Sequence, residues 1–337
     1  MTTRAQSRVM PLRDPLLAFV PLPFEHIFYP FGFPVQIKSN EKAVLHAAER
    51  SWGTSRKRFD EAQLEVRYLI CNGPRKRAPA PVCRAQGNVL TMVADEHNYA
   101  CSDLMRGFGS AWLTERTVDE VEYFRYTFLE GLVYGLLENV HLVALHAACV
   151  VRDGHAVLLA ADSGMGKSSL AYACACRGWT YVSDDGTSLI RRGTGRTVIG
   201  NPRSFRFRPS AADLFPELRD HAVTGAQSPN RFRKGKPSFE VWTESLPRIQ
   251  TAPEANVDHI VFLKREAQFK GSARLVPISR ETALRRWLPG AWPTELPLYQ
   301  QRSAAVERLL EAELFDMSYY DLDATVDLLE HLVDRGL

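Results

Sequence analysis

A glycine-rich segment followed by lysine and serine lies near the middle of the chain. Residues 161–168 read Ala-Asp-Ser-Gly-Met-Gly-Lys-Ser, which matches the phosphate-binding loop pattern with alanine in place of its first glycine. The glycines let such a loop curl until its N–H groups face inward, and the helix that follows adds partial positive charge. The pattern therefore predicts a site for the phosphates of a nucleoside triphosphate.

The residues of this loop have distinct expected roles. Lys167 is placed to reach the β- and γ-phosphates, and Ser168 is placed to offer its hydroxyl to Mg²⁺. An apolar strand before the loop and a helix after it complete the context that the pattern requires. The alternative is a glycine-rich turn whose lysine binds nothing. We predict ATP and Mg²⁺ as cofactors, bound through Ser163, Gly164, Met165, Gly166, Lys167, Ser168 and Ser169.

Two adjacent carboxylates, Asp184 and Asp185, follow the next apolar segment, Trp179–Ser183. If that segment is a strand parallel to the one before the loop, its carboxyl end lies beside the phosphates. One carboxylate can then hold Mg²⁺ while the other accepts a proton from an attacking hydroxyl. A solvated turn that caps a strand is the alternative.

Two further polar residues are weaker candidates. His146 lies in an apolar segment that should form a strand beside the loop strand, where it could face the γ-phosphate. A lone histidine among apolar residues is more often a core side chain. Glu240 lies on a short strand-like segment and is a candidate second carboxylate for the metal.

Basic residues concentrate in two clusters, residues 203–208 and 231–236, and residues 217–237 lack apolar periodicity. A basic loop near a triphosphate can close over it and neutralise charge that develops during transfer. The alternative is a loop whose charges keep the protein soluble. For any one of these basic residues taken alone, that alternative is the better interpretation. The basic residues are Arg203, Arg206, Arg208, Arg231, Arg233, Lys234 and Lys236.

The composition is that of a globular protein and excludes several classes. Of 337 residues, 45% are apolar and 24% are charged, and the net charge is only +3. No nucleic-acid motif accompanies this charge, so no nucleic-acid partner is expected. The longest apolar region, residues 128–150, is interrupted by Glu130 and Glu138, so no membrane span is expected. The six cysteines form no CxxC pair, which argues against a zinc site. We predict a cytoplasmic protein that is compatible with a homo-oligomer.

Hydrophobic periodicity divides the chain into four parts. Residues 1–25 are a proline-rich arm, 26–116 an α+β domain, 117–140 a linking helix, and 141–337 a second domain of alternating strands and helices. Thr117, with Glu120 three residues later, is expected to cap the linking helix. Predicted strands are 33–37, 63–70, 88–94, 145–151, 155–160, 179–183, 189–190, 197–199 and 257–263, and predicted helices are 41–52, 117–139, 167–177, 279–288, 300–315 and 322–335.

The run from His146 to Asp185 resembles the catalytic core of the HPr kinase/phosphorylase family. That family has a histidine, a hairpin with glycine, a phosphate loop of the form GDSGxGKS, a helix that ends in Arg-Gly, and a strand that ends in Asp-Asp. The counterparts here are His146, Gly154, residues 161–168, Arg177-Gly178 and Asp184-Asp185.

The resemblance implies an α/β fold. Its C-terminal domain would be an HPr-kinase-like P-loop domain related to phosphoenolpyruvate carboxykinase, and a smaller α+β domain would precede it. It also implies an ATP-dependent kinase that transfers phosphate to a serine. By position, Asp184 would be the base, Asp185 would bind Mg²⁺ with Ser168, and His146 would lie near the γ-phosphate. The predicted catalytic residues are thus Asp184, His146 and Lys167, and the predicted metal ligands are Ser168, Asp185 and Glu240.

The acceptor and two alternative functions stay open at this point. The acceptor is expected to be a hydroxyl of a protein, a peptide or a small molecule. The family's second signature, an acidic residue and an arginine before Gly-Leu-Gly, is absent from the sequence. A non-catalytic ATP sensor would explain that absence. A P-loop hydrolase, with water as the acceptor, is the other alternative.

Overall fold

The chain folds into two compact units, Met1–Val133 and Tyr134–Leu337. The structure is a computed structural model that describes residues 20–193, 195–224, 238–246, 248–266, 273–287 and 297–335. Both units combine sheets with helices, so the predicted mixed α/β class is confirmed. The division falls inside the segment that the sequence predicts to be the linking helix.

The first unit contains a seven-stranded sheet in the order β1-β2-β3-β7-β6-β5-β4. Along β3 every second side chain, from Leu64 to Ile70, is buried on one face, as the alternation in the sequence predicts. Helix α1 (Lys42–Trp52) buries Val44, Ala48 and Trp52. The strands are β1 (Phe24–Phe28), β2 (Val35–Ser39), β3 (Leu64–Cys71), β4 (Val82–Gln86), β5 (Val89–Val93), β6 (Tyr99–Asp103) and β7 (Phe108–Thr114).

The helix predicted over residues 117–140 is helical from Val121 to Val140, but residues 115–119 form a separate helix. The segment is broken into α2 (Glu115–Asp119), α3 (Val121–Phe124), a π-helical turn and α4 (Glu130–Val140). The cap is Thr114 rather than Thr117, because the Thr114 side chain accepts a hydrogen bond from the Thr117 N–H. Glu120 interrupts the helix with ψ 69°. The buried cluster of Asn98, Thr114 and Thr117, joined by hydrogen bonds, fixes this earlier start.

The second unit contains a nine-stranded sheet in which β9, β10, β16 and β18 are consecutive neighbours. β10 pairs antiparallel with β9 and parallel with β16, which pairs parallel with β18. Its strands are β8 (Leu142–Ala144), β9 (Ala147–Arg152), β10 (His155–Ala160), β11 (Thr180–Ser183), β12 (Ser188–Ile190), β13 (Thr197–Ile199), β16 (Glu254–Arg265), β17 (Arg274–Pro277) and β18 (Glu313–Tyr319). The two remaining strands, β14 (Ser204–Phe207) and β15 (Phe239–Trp242), form a separate two-stranded sheet.

Apolar side chains on both faces of this sheet are buried. Val157 and Leu159 of β10 join one core cluster, and Ala156, Leu158 and Ala160 join another on the opposite face. A strand covered on both sides is typical of α/β architecture. The helices of the unit are α5 (Lys167–Cys176), α6 (Ala211–Leu214), α7 (Arg219–Thr224), α8 (Arg280–Trp287), α9 (Pro297–Leu309) and α10 (Leu322–Arg335).

Two sequence predictions for this unit are corrected. The helix predicted over residues 300–315 ends at Leu309, and residues 313–319 form strand β18. Parallel pairing with β16 holds these residues extended and buries Leu314, Phe315 and Met317. His146, predicted on a strand, instead precedes β9 with a positive φ of 49°. Among the described residues, no helix is long and apolar enough to cross a membrane.

Candidate functional site

The glycine-rich loop connects the carboxyl end of β10 to the first turn of α5. Gly164 and Gly166 have φ of 95° and 91°, a left-handed conformation that favours glycine. Gly166 is the N-cap of α5, and no side chain caps this helix end. The first amides of α5 are therefore available to an anion, and the local backbone fits a phosphate group.

Lys167, the first residue of α5, is aimed at the opening of the loop. Its side chain is only 5% exposed. Its Nζ donates to the Ala161 carbonyl at 2.8 Å and lies 3.3 Å from Asp185 Oδ1 and 3.3 Å from His146 Nε2. A carbonyl at the start of the loop and a carboxylate from the next strand thus hold the ammonium in place.

His146 and Asp185 complete a three-residue cluster with Lys167. His146 Nδ1 lies 3.0 Å from Asp185 Oδ1, and both side chains are partly exposed. The positive φ of His146 turns the chain just before β9, which is the neighbour of β10. The structure therefore brings together three residues that the sequence predicts for one site.

Asp184 directly precedes Asp185 in the chain and is buried. Its Oδ2 accepts a hydrogen bond from the Arg206 backbone N–H at 2.9 Å, and interaction with the Ser168 side chain lowers the pKa of its carboxyl group. Burial raises the pKa of Asp184 to about 6, with the charge of Asp185 acting in the same direction, although the hydrogen bond from Arg206 opposes the shift. The adjacent aspartates thus differ in environment, because Asp185 is 41% exposed.

The basic segment contributes two of its residues to this region. Arg208 Nη2 donates to the Ser163 hydroxyl at 3.0 Å, and its guanidinium lies beside Gly164. Arg206 contributes its backbone N–H to Asp184, whereas Arg203 stacks over Trp242. The remaining basic residues of the prediction, Arg231, Arg233, Lys234 and Lys236, lie outside the described residues.

Glu240 lies on β15, opposite Arg206 of β14. Its Oε1 accepts a hydrogen bond from the Ser204 hydroxyl at 2.7 Å. Within the described ranges, no three His, Cys, Asp or Glu side chains form a group arranged to hold a metal ion. Metal binding by Ser168, Asp185 and Glu240 therefore stays a prediction.

Tyr319 is a residue of this region that sequence reasoning missed. It ends β18, is 1% exposed, and donates its hydroxyl hydrogen to the Met165 carbonyl inside the loop. The helix predicted over residues 300–315 covers only the start of β18, and no strand is predicted that reaches Tyr319. The signal that could have found it is the alternation of buried residues Phe315, Met317 and Tyr319.

Replacing Gly166 by alanine is expected to weaken ATP binding at least tenfold and to destabilise the fold by about 2–4 kcal/mol. The new methyl group would need a left-handed backbone and would overlap the Tyr319 hydroxyl. Gly154→Ala is the matched control, since Gly154 has φ 85° but open space around it. Urea unfolding and ATP titration of both variants measure the difference. Equal losses in the two variants would contradict the close packing of Gly166.

The structure defines a mixed α/β protein in which a glycine-rich loop connects strand β10 to helix α5. No protein-family model matches the chain, and no curated protein matches it. Among solved structures, the HPr(Ser) kinase/phosphatase from Coxiella burnetii is similar, with 16% sequence identity and a TM-score of 0.28. The similarity covers 57% of this chain and 99% of that chain.

Proposed function

We propose that this chain is an ATP-dependent kinase that transfers the γ-phosphate to a hydroxyl, in particular a serine of a protein or peptide. The observation that carries the proposal is the pair of aspartates at the opening of the phosphate loop. Asp185 contacts Lys167 and His146, while the buried Asp184 contacts Ser168. The resemblance of the run His146–Asp185 to HPr kinase/phosphorylase agrees with this chemistry.

The loop supplies the groups that would hold the phosphates. The amides at the start of α5 and the ammonium of Lys167 would bind the phosphate oxygens, and Arg208 would add positive charge from the opposite side, near Ser163. Ser168 and Asp185 are the residues that would hold Mg²⁺. When bound, the ion neutralises charge on the β- and γ-phosphate oxygens.

Asp184 is suited to accept the proton of the attacking hydroxyl. In the proposed reaction the hydroxyl oxygen forms a bond to the γ-phosphorus, the bond from that phosphorus to the bridging oxygen breaks, and ADP leaves. The hydroxyl proton passes to Asp184. Because its pKa is about 6, this carboxylate is ionised at neutral pH and is a stronger base than an ordinary aspartate.

The kcat/KM for transfer is expected to rise about tenfold per pH unit below pH 6 and to level off above it. Asp184 must be deprotonated to act as a base, and its pKa in the nucleotide-free enzyme is about 6. A pH series from 4.5 to 8 with saturating Mg²⁺ measures the profile. If the enzyme stays folded over this pH range and its kcat/KM does not change with pH, Asp184 is not the base.

The direct test is incubation of the purified protein with γ-labelled ATP and Mg²⁺, alone and with lysate from its own cells. Asp184→Asn is the comparison. An acceptor labelled by the wild type and not by the variant supports the kinase. Clear ATP binding without any labelled product would favour the nucleotide sensor. Labelled free phosphate without a labelled acceptor would favour the hydrolase.

A further inference from the structure

Tyr319 reaches the phosphate loop from a strand far along the chain. Met165 and Tyr319 are 154 residues apart in sequence, yet the Tyr319 hydroxyl donates to the Met165 carbonyl. β18 runs parallel to β16, which runs parallel to β10. The carboxyl ends of these strands therefore meet at one edge of the sheet, where the loop begins and where β18 ends in Tyr319.

The bond to Tyr319 fixes the orientation of one peptide group of the loop. The described residues contain no cis peptide bond, so the Met165 C=O and the Gly166 N–H lie on opposite sides of one planar unit. Because the carbonyl is directed at Tyr319, the Gly166 N–H is directed away from it. Gly166 has no Cβ that would restrain this backbone, and the hydrogen bond from Tyr319 to the Met165 carbonyl restrains the plane directly.

The surroundings keep the Tyr319 hydroxyl in its donor form. Tyr319 is buried, and its own carbonyl accepts a hydrogen bond from the Glu266 N–H at 3.0 Å. Burial raises the pKa of Tyr319 to about 12, although the charge of Arg265 acts in the opposite direction. The hydroxyl therefore keeps its proton throughout the neutral range.

We propose that Tyr319 is a positioning residue for nucleotide binding: it holds the Met165 carbonyl outward so that the Gly166 N–H is already directed at a bound phosphate. This inference rests on the proposed function only in requiring that the loop binds phosphates. It does not depend on which hydroxyl, if any, accepts the phosphate.

The test is the Kd of Mg-ATP and of inorganic tripolyphosphate for the full chain, measured by calorimetry. Tyr319→Phe is expected to weaken both ligands by about threefold to tenfold, the value of one neutral hydrogen bond. The adjacent Tyr320 is 54% exposed, and Tyr320→Phe is expected to bind as the wild type does. Met317→Ala, at a buried position of the same strand, removes packing without removing a hydroxyl.

The affinities of the two variants either support or overturn the positioning role of Tyr319. The proposal is supported if Tyr319→Phe binds both ligands more weakly and keeps the melting temperature of the wild type. Met317→Ala should then lose less affinity than Tyr319→Phe does. Unchanged affinity in Tyr319→Phe overturns it, as does an equal loss in Met317→Ala, which would reveal a purely structural role. Loss of ATP affinity without loss of tripolyphosphate affinity also overturns it. If the wild type binds neither ligand, the proposed function fails as well.

Discussion

Replacing Asp184 by asparagine is expected to lower phosphoryl transfer by about two to four orders of magnitude while the Kd for Mg-ATP changes less than about threefold. The variant keeps the size of the side chain, and its amide oxygen can still accept from the Arg206 N–H. It cannot accept the proton of the hydroxyl. Labelled transfer and calorimetric titration measure the two quantities separately.

The same substitution is expected to stabilise the fold at pH 7.5 by about 1–3 kcal/mol. The usual pKa of the group is 3.8, and its pKa in the folded chain is about 6. Between these values the unfolded chain has lost the proton while the folded chain still binds it, so folding stability falls as pH rises. Above pH 6 the full cost of the buried charge is present, and asparagine removes it.

The control for both effects is Asp153→Asn. Asp153 lies at the tip of the β9–β10 hairpin with a positive φ, which asparagine adopts readily, and its side chain is exposed. It should change neither transfer nor stability by a measurable amount. Full transfer by Asp184→Asn, or a loss of stability in place of a gain, would contradict the role and the environment assigned to Asp184.

Replacing Lys167 by alanine is expected to weaken Mg-ATP binding by about 30-fold to 1,000-fold, since a buried charged partner of the phosphates is lost. The Lys167 ammonium is fixed by Ala161 and Asp185 before any ligand arrives, so little ordering cost remains to be paid on binding. Calorimetric titration with Mg-ATP measures the loss.

Lys57→Ala serves as the control for that variant. Lys57 is half-exposed and forms an ion pair with its neighbour Asp60, in the first unit. Its removal should leave the affinity unchanged. If Lys167→Ala binds Mg-ATP as tightly as the wild type does, the loop at residues 161–168 is not the nucleotide site.

The parts of the site that the sequence predicts well are those built from neighbours in the chain. The hairpin, the loop, α5 and β11 follow one another between His146 and Ser183, and each has its own turn signal or periodicity. The contacts among His146, Lys167 and Asp185 follow from that local order.

The parts that the sequence misses depend on distant segments. The helix predicted over residues 300–315 covers the first three residues of β18, and only pairing with β16 makes them a strand. The sequence analysis predicts no strand that reaches Tyr319, so this residue is missed. Likewise, the Arg206 N–H reaches Asp184 through a backbone contact that no side-chain pattern encodes. The capping of α2 by Thr114 depends on Asn98, which lies in the bend before β6.

The Tyr319–Met165 contact joins residues that are 154 positions apart in the sequence. This separation affects the order in which parts of the site form while the chain is being synthesised. A ribosome that has translated as far as Asp185 has made His146, Lys167 and both aspartates. The nascent chain at that point lacks β16, the parallel neighbour of the loop strand, and also β18, which carries Tyr319. Pairings between such distant segments form late because of the chain entropy that they cost. Full nucleotide affinity should therefore emerge only after β18 has left the ribosome.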